Sequence, residues 1–366
     1  MKITQVTMFC KGTVGGQETY AENIDKIMAE RYDNTSIVQI YRKGVKEKNV
    51  ITLPYTSRFN KCFSDAGWFL FNIDLMCNKK YLKQSDILIV HYPFHYPAVS
   101  WHPRVIVLSH GIDWHHPQVT YADRYRMKTA RMCRENSIPL VANDSAFLTY
   151  LGYNKTKIKD KNYQQIDKNV WFIPNCVDTG VFCPDNSVSK EDSILVPRNI
   201  GHARGIHSAI EFFNVFHRKN NNFKMYIAGG PLEGDYYQEC FDLVKKYELE
   251  DNIVFLGFIH PDEMVSLYRK TKVTLIPSIE REGTSLSALE SMACGTPVVS
   301  TDVGGLSDLP TIKTKNDPEH MSNAVNEVLD RYNYYQEKQV KCIEDVFNMK
   351  LWREAWYNVC DTVMKD

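Results

Sequence analysis

Two hydrophobic periods alternate along most of this chain. Short, largely apolar runs fall at residues 3–9, 86–91, 104–109 and 139–142, and again at 193–197, 224–228, 252–257, 273–277 and 296–300. Runs of that length, closed by glycine, proline or polar residues, read as strands buried on both faces. Between them lie stretches with helical spacing. Residues 18–31 place Tyr20, Ile24, Ile27 and Met28 on one side, and 121–136 and the segment from Ser145 follow. In the second half, helices are expected before 219, after 234, from 262, from 283 and from 317 to 347. The last runs from 349 to 364, with Leu351, Trp352, Ala355, Trp356, Val359 and Val363 on one face. Strand alternating with helix predicts an α/β chain with parallel sheets. The alternation restarts after a polar stretch at 184–192, which reads as a linker between two doubly wound domains.

Departures from this rhythm are few. Residues 35–55 suggest two short strands around a basic hairpin, 42–48. Residues 152–169 are rich in lysine and asparagine and read as a surface excursion. Residues 59–83 mix Phe63, Trp68, Phe69, Leu70, Phe71, Ile73, Leu75 and Met76 with Arg58, Lys61, Lys79 and Lys80. Such a segment either packs on the sheet with a solvated rim or lies on a membrane surface. Residues 121–136 carry Arg124, Arg126, Lys128, Arg131 and Arg134, which form either a solvated face or a surface for an anionic acceptor or bilayer.

Composition narrows the classes. The 366 residues suffice for two or three domains. A formal net charge of zero argues against a general nucleic-acid binder, so any anion site must be local. The apolar runs are too short to cross a bilayer, and the N-terminus alternates like a strand rather than a secretion signal. Ten cysteines without a CxxC pair suggest thiols in a reducing cytoplasm. With no D-x-D and no His/Cys cluster at ligand spacing, no metal and no cofactor is expected.

The chemistry concentrates in residues 278–300. A strand runs into a polar loop with Glu280 and Glu282, and Gly283, Thr284 and Ser285 open a helix with Leu286, Leu289 and Met292 at core spacing. The first N–H groups of a helix lack intrahelical partners and attract phosphate. Glu282 and Glu290 are eight positions apart, roughly 12 Å of helical rise. Two carboxylates so spaced suit hydroxyls at either end of an extended ligand with a diphosphate between them, the layout of a nucleotide-sugar. The alternative is a solvated acidic loop before an ordinary amphipathic helix. Gly15 and Gly16 form a turn between strand and helix without the G-x-G-x-x-G spacing. His110 falls just beyond a strand's C-terminal end, where open parallel sheets bind ligands. His91, His95, His115 and His116 have no assigned role.

Glu282-x7-Glu290, followed by MACGTPVVSTDVGG at 292–305, resembles the signature of retaining glycosyltransferases of the GT-B fold, family 4. The resemblance implies two Rossmann-like doubly wound domains facing across a cleft, 1–180 and 181–348, with helix 349–366 packing back on the first. It implies a metal-independent transferase that moves a sugar, UDP- or GDP-linked, from a nucleotide-sugar donor to a hydroxyl acceptor. Arg198 and Arg204 would hold the diphosphate with the N–H groups of Thr284, Ser285 and Leu286, beside Gly283. Glu282 would bind the donor sugar, Glu290 the ribose, and His110 the transferred sugar near the reaction centre. Gly15 and Gly16 match the donor-diphosphate loop, and Gly229, Phe258 and Ile259 match loops that shape the nucleotide pocket. Three positions depart from the pattern: Cys176 stands for glycine, Arg204 for the more usual lysine, and Asp308 for glutamate. Relatives of this kind extend cell-surface glycans or glycolipids, which implies a glycan or lipid-linked acceptor and a cytoplasmic protein, peripheral to a membrane through 59–83 and 121–136. Two other readings remain: a transferase-like binding protein without activity, and a sugar phosphorylase of the same fold.

Overall fold

The computed structural model describes residues 1–11, 15–32, 34–40, 45–53, 65–112, 119–154, 163–280 and 282–365. Parts of several expected features lie outside them: residues 12–14 of the glycine loop, 41–44 of the basic hairpin, Arg58, Lys61 and Phe63, the pair His115 and His116, and 155–162 of the lysine-rich excursion. The chain divides into two compact units, Met1–Pro174 with Trp352–Asp366, and Asn175–Leu351.

Unit 1 is built on a sheet of eight strands among the described residues: β1 Lys2–Val6, β2 Asn34–Ile40, β3 Val50–Leu53, β4 Ile87–His91, β5 Val105–Ser109, β6 Leu140–Ala142, β7 Gln164–Asp167 and β8 Val170–Phe172. Their order is β3-β2-β1-β4-β5-β6-β8-β7. The central strands are apolar because helices cover both faces; Val6, Leu88, Val90, Val107 and Phe172 are buried in one core. Helix Asp65–Cys77 puts Phe71 and Leu75 into this core and leaves Ile73 and Met76 exposed. The closing helix Met349–Lys365 buries Trp352, Trp356, Val359 and Val363. Trp356 Nε1 donates to Tyr20 Oη at 3.1 Å, and Tyr357 Oη donates to the Ile27 carbonyl at 2.6 Å, so this helix is fixed to helix Gly16–Arg31.

One expectation fails here. β2 and β3 pair in parallel, from Ile37 beside Val50 to Ile40 beside Leu53, so no hairpin joins them. The surface excursion at 152–169 includes β7, which pairs antiparallel with β8. β7 is an edge strand with an alternating exposed face, which gives no continuous apolar run to read.

Unit 2 has six strands among the described residues: β9 Glu191–Val196, β10 Lys224–Ala228, β11 Ile253–Gly257, β12 Thr271–Ile276, β13 Val298–Thr301 and β14 Ile312–Thr314. They lie parallel in the order β11-β10-β9-β12-β13-β14. Ile194, Val196, Met225, Ile227, Val273 and Val299 pack with Phe212, Phe213 and Phe216 of helix Ile206–His217. This is the doubly wound arrangement in which strand order reverses at the first strand. The reversal lies between β9 and β12. Loops leaving the ends of those two strands run to opposite faces, which opens a crevice between them.

Candidate functional site

The residues of unit 2 that carry charge at this crevice come from the loops after β9 and β12. Arg198 follows β9, and Arg204 ends the short turn His202–Arg204. Ser278 and Glu282 lie on the loop after β12, and helix Leu286–Ala293 begins beyond them. Arg198 Nη2 lies 3.0 Å from Glu282 Oε1, and Arg204 Nη1 lies 2.5 Å from Glu282 Oε2. Ser278 Oγ donates to Glu282 Oε2 at 3.0 Å. One carboxylate thus draws in two guanidinium groups, and Arg198 and Glu282 are both 8% exposed. Burial pushes Arg198 below its ordinary value, against the pull of Glu282. A buried pair of this kind is costly to disrupt, since removing one partner strands the other's charge.

Backbone geometry permits this convergence at two glycines. Gly205 has φ +70°, and a Cβ there would lie 2.0 Å from the Pro277 carbonyl oxygen. Gly304 has φ +53°, and its Cβ would lie 2.1 Å from the Glu282 carbonyl oxygen. The neighbouring Gly305 N–H donates to that same oxygen at 2.8 Å. Only glycine enters this region of φ without strain and leaves room for the opposing backbone.

The helix start is also distinctive. Ser285 is its N-cap residue but makes no side-chain cap hydrogen bond. Its hydroxyl accepts instead from Arg198 Nη2 at 2.9 Å. A serine at this position ordinarily satisfies one of the free N–H groups of the first turn. Among the described residues, Arg198 Nε is buried with no hydrogen-bond partner. Thr284 is buried, its carbonyl accepting from Asn175 Nδ2, while Gly283 and Leu286 keep partial exposure.

Glu290 sits further along the helix and accepts from Tyr268 Oη at 3.0 Å. Burial raises the Glu290 carboxyl to about 7, although Tyr268 and Arg198 both act to lower it. Burial and the neighbouring Glu290 hold the Tyr268 hydroxyl well above its usual range. Gly229 donates to the Gly257 carbonyl at 2.8 Å, which ties the ends of β10 and β11 together. Phe258 is 60% exposed just beyond β11, and Ile259 packs in a small cluster with Tyr268.

Unit 1 has its own polar group at the ends of β4 and β5. His91 closes β4, and His110 follows β5. His91 Nδ1 and His110 Nε2 are 2.9 Å apart. His91 Nε2 lies 2.9 Å from Gln5 Oε1 on β1. Burial drives His110 down to about 3 and His91 well below the ordinary histidine range. Gly15 is the N-cap residue of helix Gly16–Arg31, again without a side-chain cap.

The structure therefore gathers Arg198, Arg204, Glu282 and Ser285 into one network in unit 2, with Glu290 paired separately to Tyr268. Sequence reasoning missed Ser278, Tyr268, Gln5 and the link from His91 to His110. Ser278 and Gln5 sit at or beside strands as ordinary polar positions, and Tyr268 is one apolar position among several on helix Pro261–Lys270. The strand-end position of His91 was the one available signal.

Residues 184–348 match the family model described as glycosyl transferases group 1. This stretch belongs to that family. The group 1 match covers the loops that carry Arg198, Arg204 and Glu282 and the helix that carries Glu290. Among curated relatives, D-inositol 3-phosphate glycosyltransferase of Acidothermus cellulolyticus is 28% identical over 179 residues, 43% of this chain and 40% of that protein. The chain spans 35–41% of the length of three such relatives. Sucrose-phosphate synthase from Thermosynechococcus elongatus has a TM-score of 0.79 at 17% identity, covering 100% of this chain and 99% of that one. HepE of Anabaena, solved in complex with UDP-glucose, has a TM-score of 0.73 at 15% identity over 100% of both chains. These structural likenesses give the fold, which is GT-B. Among the described residues, no helix is long and apolar enough to cross a membrane, and no group of three or more His, Cys, Asp or Glu side chains is placed to hold a metal ion.

Proposed function

We propose that this protein is a retaining, metal-independent glycosyltransferase that takes a sugar from a nucleoside diphosphate and passes it to a hydroxyl acceptor. The observation that carries the reading is the convergence of Arg198 and Arg204 on Glu282 beside a helix start whose N-cap serine does not cap it. Fork-shaped guanidinium groups suit a diphosphate, and free helix N–H groups add to the same positive field. When a diphosphate arrives, it competes with Glu282 for the arginines, and Arg198 Nε offers it a further buried donor. The carboxylate released from them turns to hydroxyls of the donor sugar. Glu290 accepts from a ribose hydroxyl, and His110 contacts the transferred sugar.

In the reaction, the bond between the anomeric carbon and the diphosphate oxygen breaks, and a bond to the acceptor oxygen forms on the same face. The acceptor proton passes to the departing phosphate. Negative charge grows on the nucleoside diphosphate as it leaves. Arg198 and Arg204 stabilise that charge, the task that a divalent ion performs in other transferases. HepE, solved with UDP-glucose, makes a uridine-linked hexose the first donor to try. A glycan or lipid-linked acceptor is in keeping with the relatives, and the basic helix Tyr121–Glu135 is compatible with a peripheral contact to an anionic membrane.

The test is a thermal-shift screen of the full chain against UDP-, GDP- and ADP-sugars, with chelator present throughout. Binding of one class raises Tm in proportion to the logarithm of ligand excess. Arg204→Ala removes one of two charged contacts and weakens that donor by about tenfold, or 1.4 kcal/mol. Equal affinity in wild type and variant refutes the assignment. Product of inverted anomeric configuration, seen by proton NMR, removes the retaining mechanism.

A further inference from the structure

We propose that His91 is a positioning residue that holds His110 in a single tautomer, with hydrogen on Nε2 and a bare Nδ1 that accepts from a hydroxyl of the transferred sugar. The proposal rests on the sugar contact assigned to His110 above. It concerns which atom makes that contact and what fixes it.

One hydrogen-bond chain runs through the interior of unit 1. It begins at the Ala21 carbonyl, which can only accept. Gln5 Nε2 donates to it at 3.1 Å, so the amide nitrogen of Gln5 faces helix Gly16–Arg31. Gln5 Oε1 must then face the other way, toward His91 Nε2 at 2.9 Å. That oxygen also only accepts, so His91 Nε2 carries a hydrogen. A neutral His91 is left with a bare Nδ1, and this atom meets His110 Nε2 at 2.9 Å. The contact is a hydrogen bond only if His110 Nε2 carries the hydrogen. A neutral His110 is left with a bare Nδ1. Each step permits one assignment, and the chain starts from a backbone group that cannot reverse.

Neutrality has a physical cause. His91 and Gln5 are almost wholly buried, and burial pushes both imidazoles far below the physiological range. The ring of His110 is also held in place. Tyr20 meets it edge-on at 5.2 Å, and Tyr92 lies 5.1 Å away on a residue with φ +85°. Tyr92 is fixed in turn, donating to Gln17 Oε1 at 2.9 Å. A histidine whose second nitrogen is committed to a fixed partner has a defined tautomer at the first.

The chemical consequence is one of sign. The sugar becomes oxocarbenium-like as the diphosphate leaves. A lone pair directed at it or its hydroxyls favours that positive charge. An N–H in the same place opposes it. The wrong tautomer of a catalytic histidine is known to be severely damaging where the ring transfers protons. Here the ring only accepts, and the expected loss is that of one hydrogen bond.

The test uses full-length protein labelled with nitrogen-15 at histidine. Imidazole shifts report the tautomer, and His110→Gln identifies the His110 signals. Wild type is expected as the Nε2–H form. Gln5→Glu places a carboxylate against His91 Nε2 and makes that ring an imidazolium. Its Nδ1–H then faces His110 and drives the His110 hydrogen to Nδ1. The variant is expected to show the switched tautomer, with kcat lowered about tenfold and donor KM changed by less than about twofold. His91→Phe should leave a mixture of tautomers and a similar loss. His91→Asn keeps an amide oxygen near the position of Nδ1 and should restore both the tautomer and the rate. Wild-type His110 in the Nδ1–H form overturns the proposal, as does an unchanged tautomer in both Gln5→Glu and His91→Phe. A switched tautomer with unchanged kcat overturns the sugar contact itself, while leaving the hydrogen-bond chain intact.

Discussion

Glu290 should make unit 2 less stable as pH rises through neutrality. Its carboxyl is raised from the ordinary 4.5 to about 7 because burial disfavours the charged form more than Tyr268 and Arg198 favour it. Between those two values the folded protein holds a proton that the unfolded chain has released. Stability from this group is complete below the unfolded value and is lost as pH climbs through the folded one. From about pH 5 to about pH 8 the loss integrates to about 2.5 kcal/mol at the full shift, an upper figure because the residue keeps some exposed surface. Glu290→Gln removes the titration and leaves an amide oxygen to accept from Tyr268. The measurement is the difference in unfolding between wild type and variant at each pH, so that every other titrating group cancels. All six tryptophans fall at positions within unit 1, so their fluorescence follows that unit, and calorimetry is needed to follow unit 2. In a unit of this size, about 2.5 kcal/mol corresponds to a Tm gap that widens by about 5–10 °C across the range. Parallel Tm curves for the two proteins would refute the reasoning. A donor hydroxyl bound by the carboxylate adds a second consequence: donor affinity in wild type should rise over the same interval and stay flat in the variant.

Two further perturbations probe the supports of the site and of the closing helix. Gly304→Ala brings a Cβ within 2.1 Å of the Glu282 carbonyl at φ +53°; unit 2 should lose about 1–3 kcal/mol in calorimetry and donor affinity should fall with it. Trp356→Ala deletes a fully buried indole and its bond to Tyr20; unit 1 should lose about 3–5 kcal/mol in denaturant unfolding, with the calorimetric transition of unit 2 unchanged.

Much of the architecture is written in local pattern. Parallel strands buried on both faces are mostly apolar, so runs such as 104–109 and 273–277 declare themselves without any partner being known. The helices announce themselves by spacing, as Tyr20, Ile24, Ile27 and Met28 do. The edges were less legible. β7 and β14 are short and half-buried, and a strand that faces solvent on one side or lies at the margin needs no apolar run. Parallel pairing of β2 with β3 depends on the path of the chain between them, which residue types alone do not fix.

The sequence by itself determined the class of the chain, its GT-B fold and the group 1 identity of residues 184–348. It did so because strand burial, helix periodicity and a long motif are properties of consecutive residues. Tertiary structure decided which side chains share charge and protons. Glu282 meets both arginines because strand order reverses between β9 and β12, bringing together loops some eighty positions apart. Burial that no local pattern reveals drives Glu290 toward neutrality, against the pull of Tyr268 from another helix. Gln5, His91 and His110 form one hydrogen-bond chain because β1, β4 and β5 lie side by side in the sheet. Proximity between distant residues is set by how the elements pack, and electrostatics and tautomers follow from proximity.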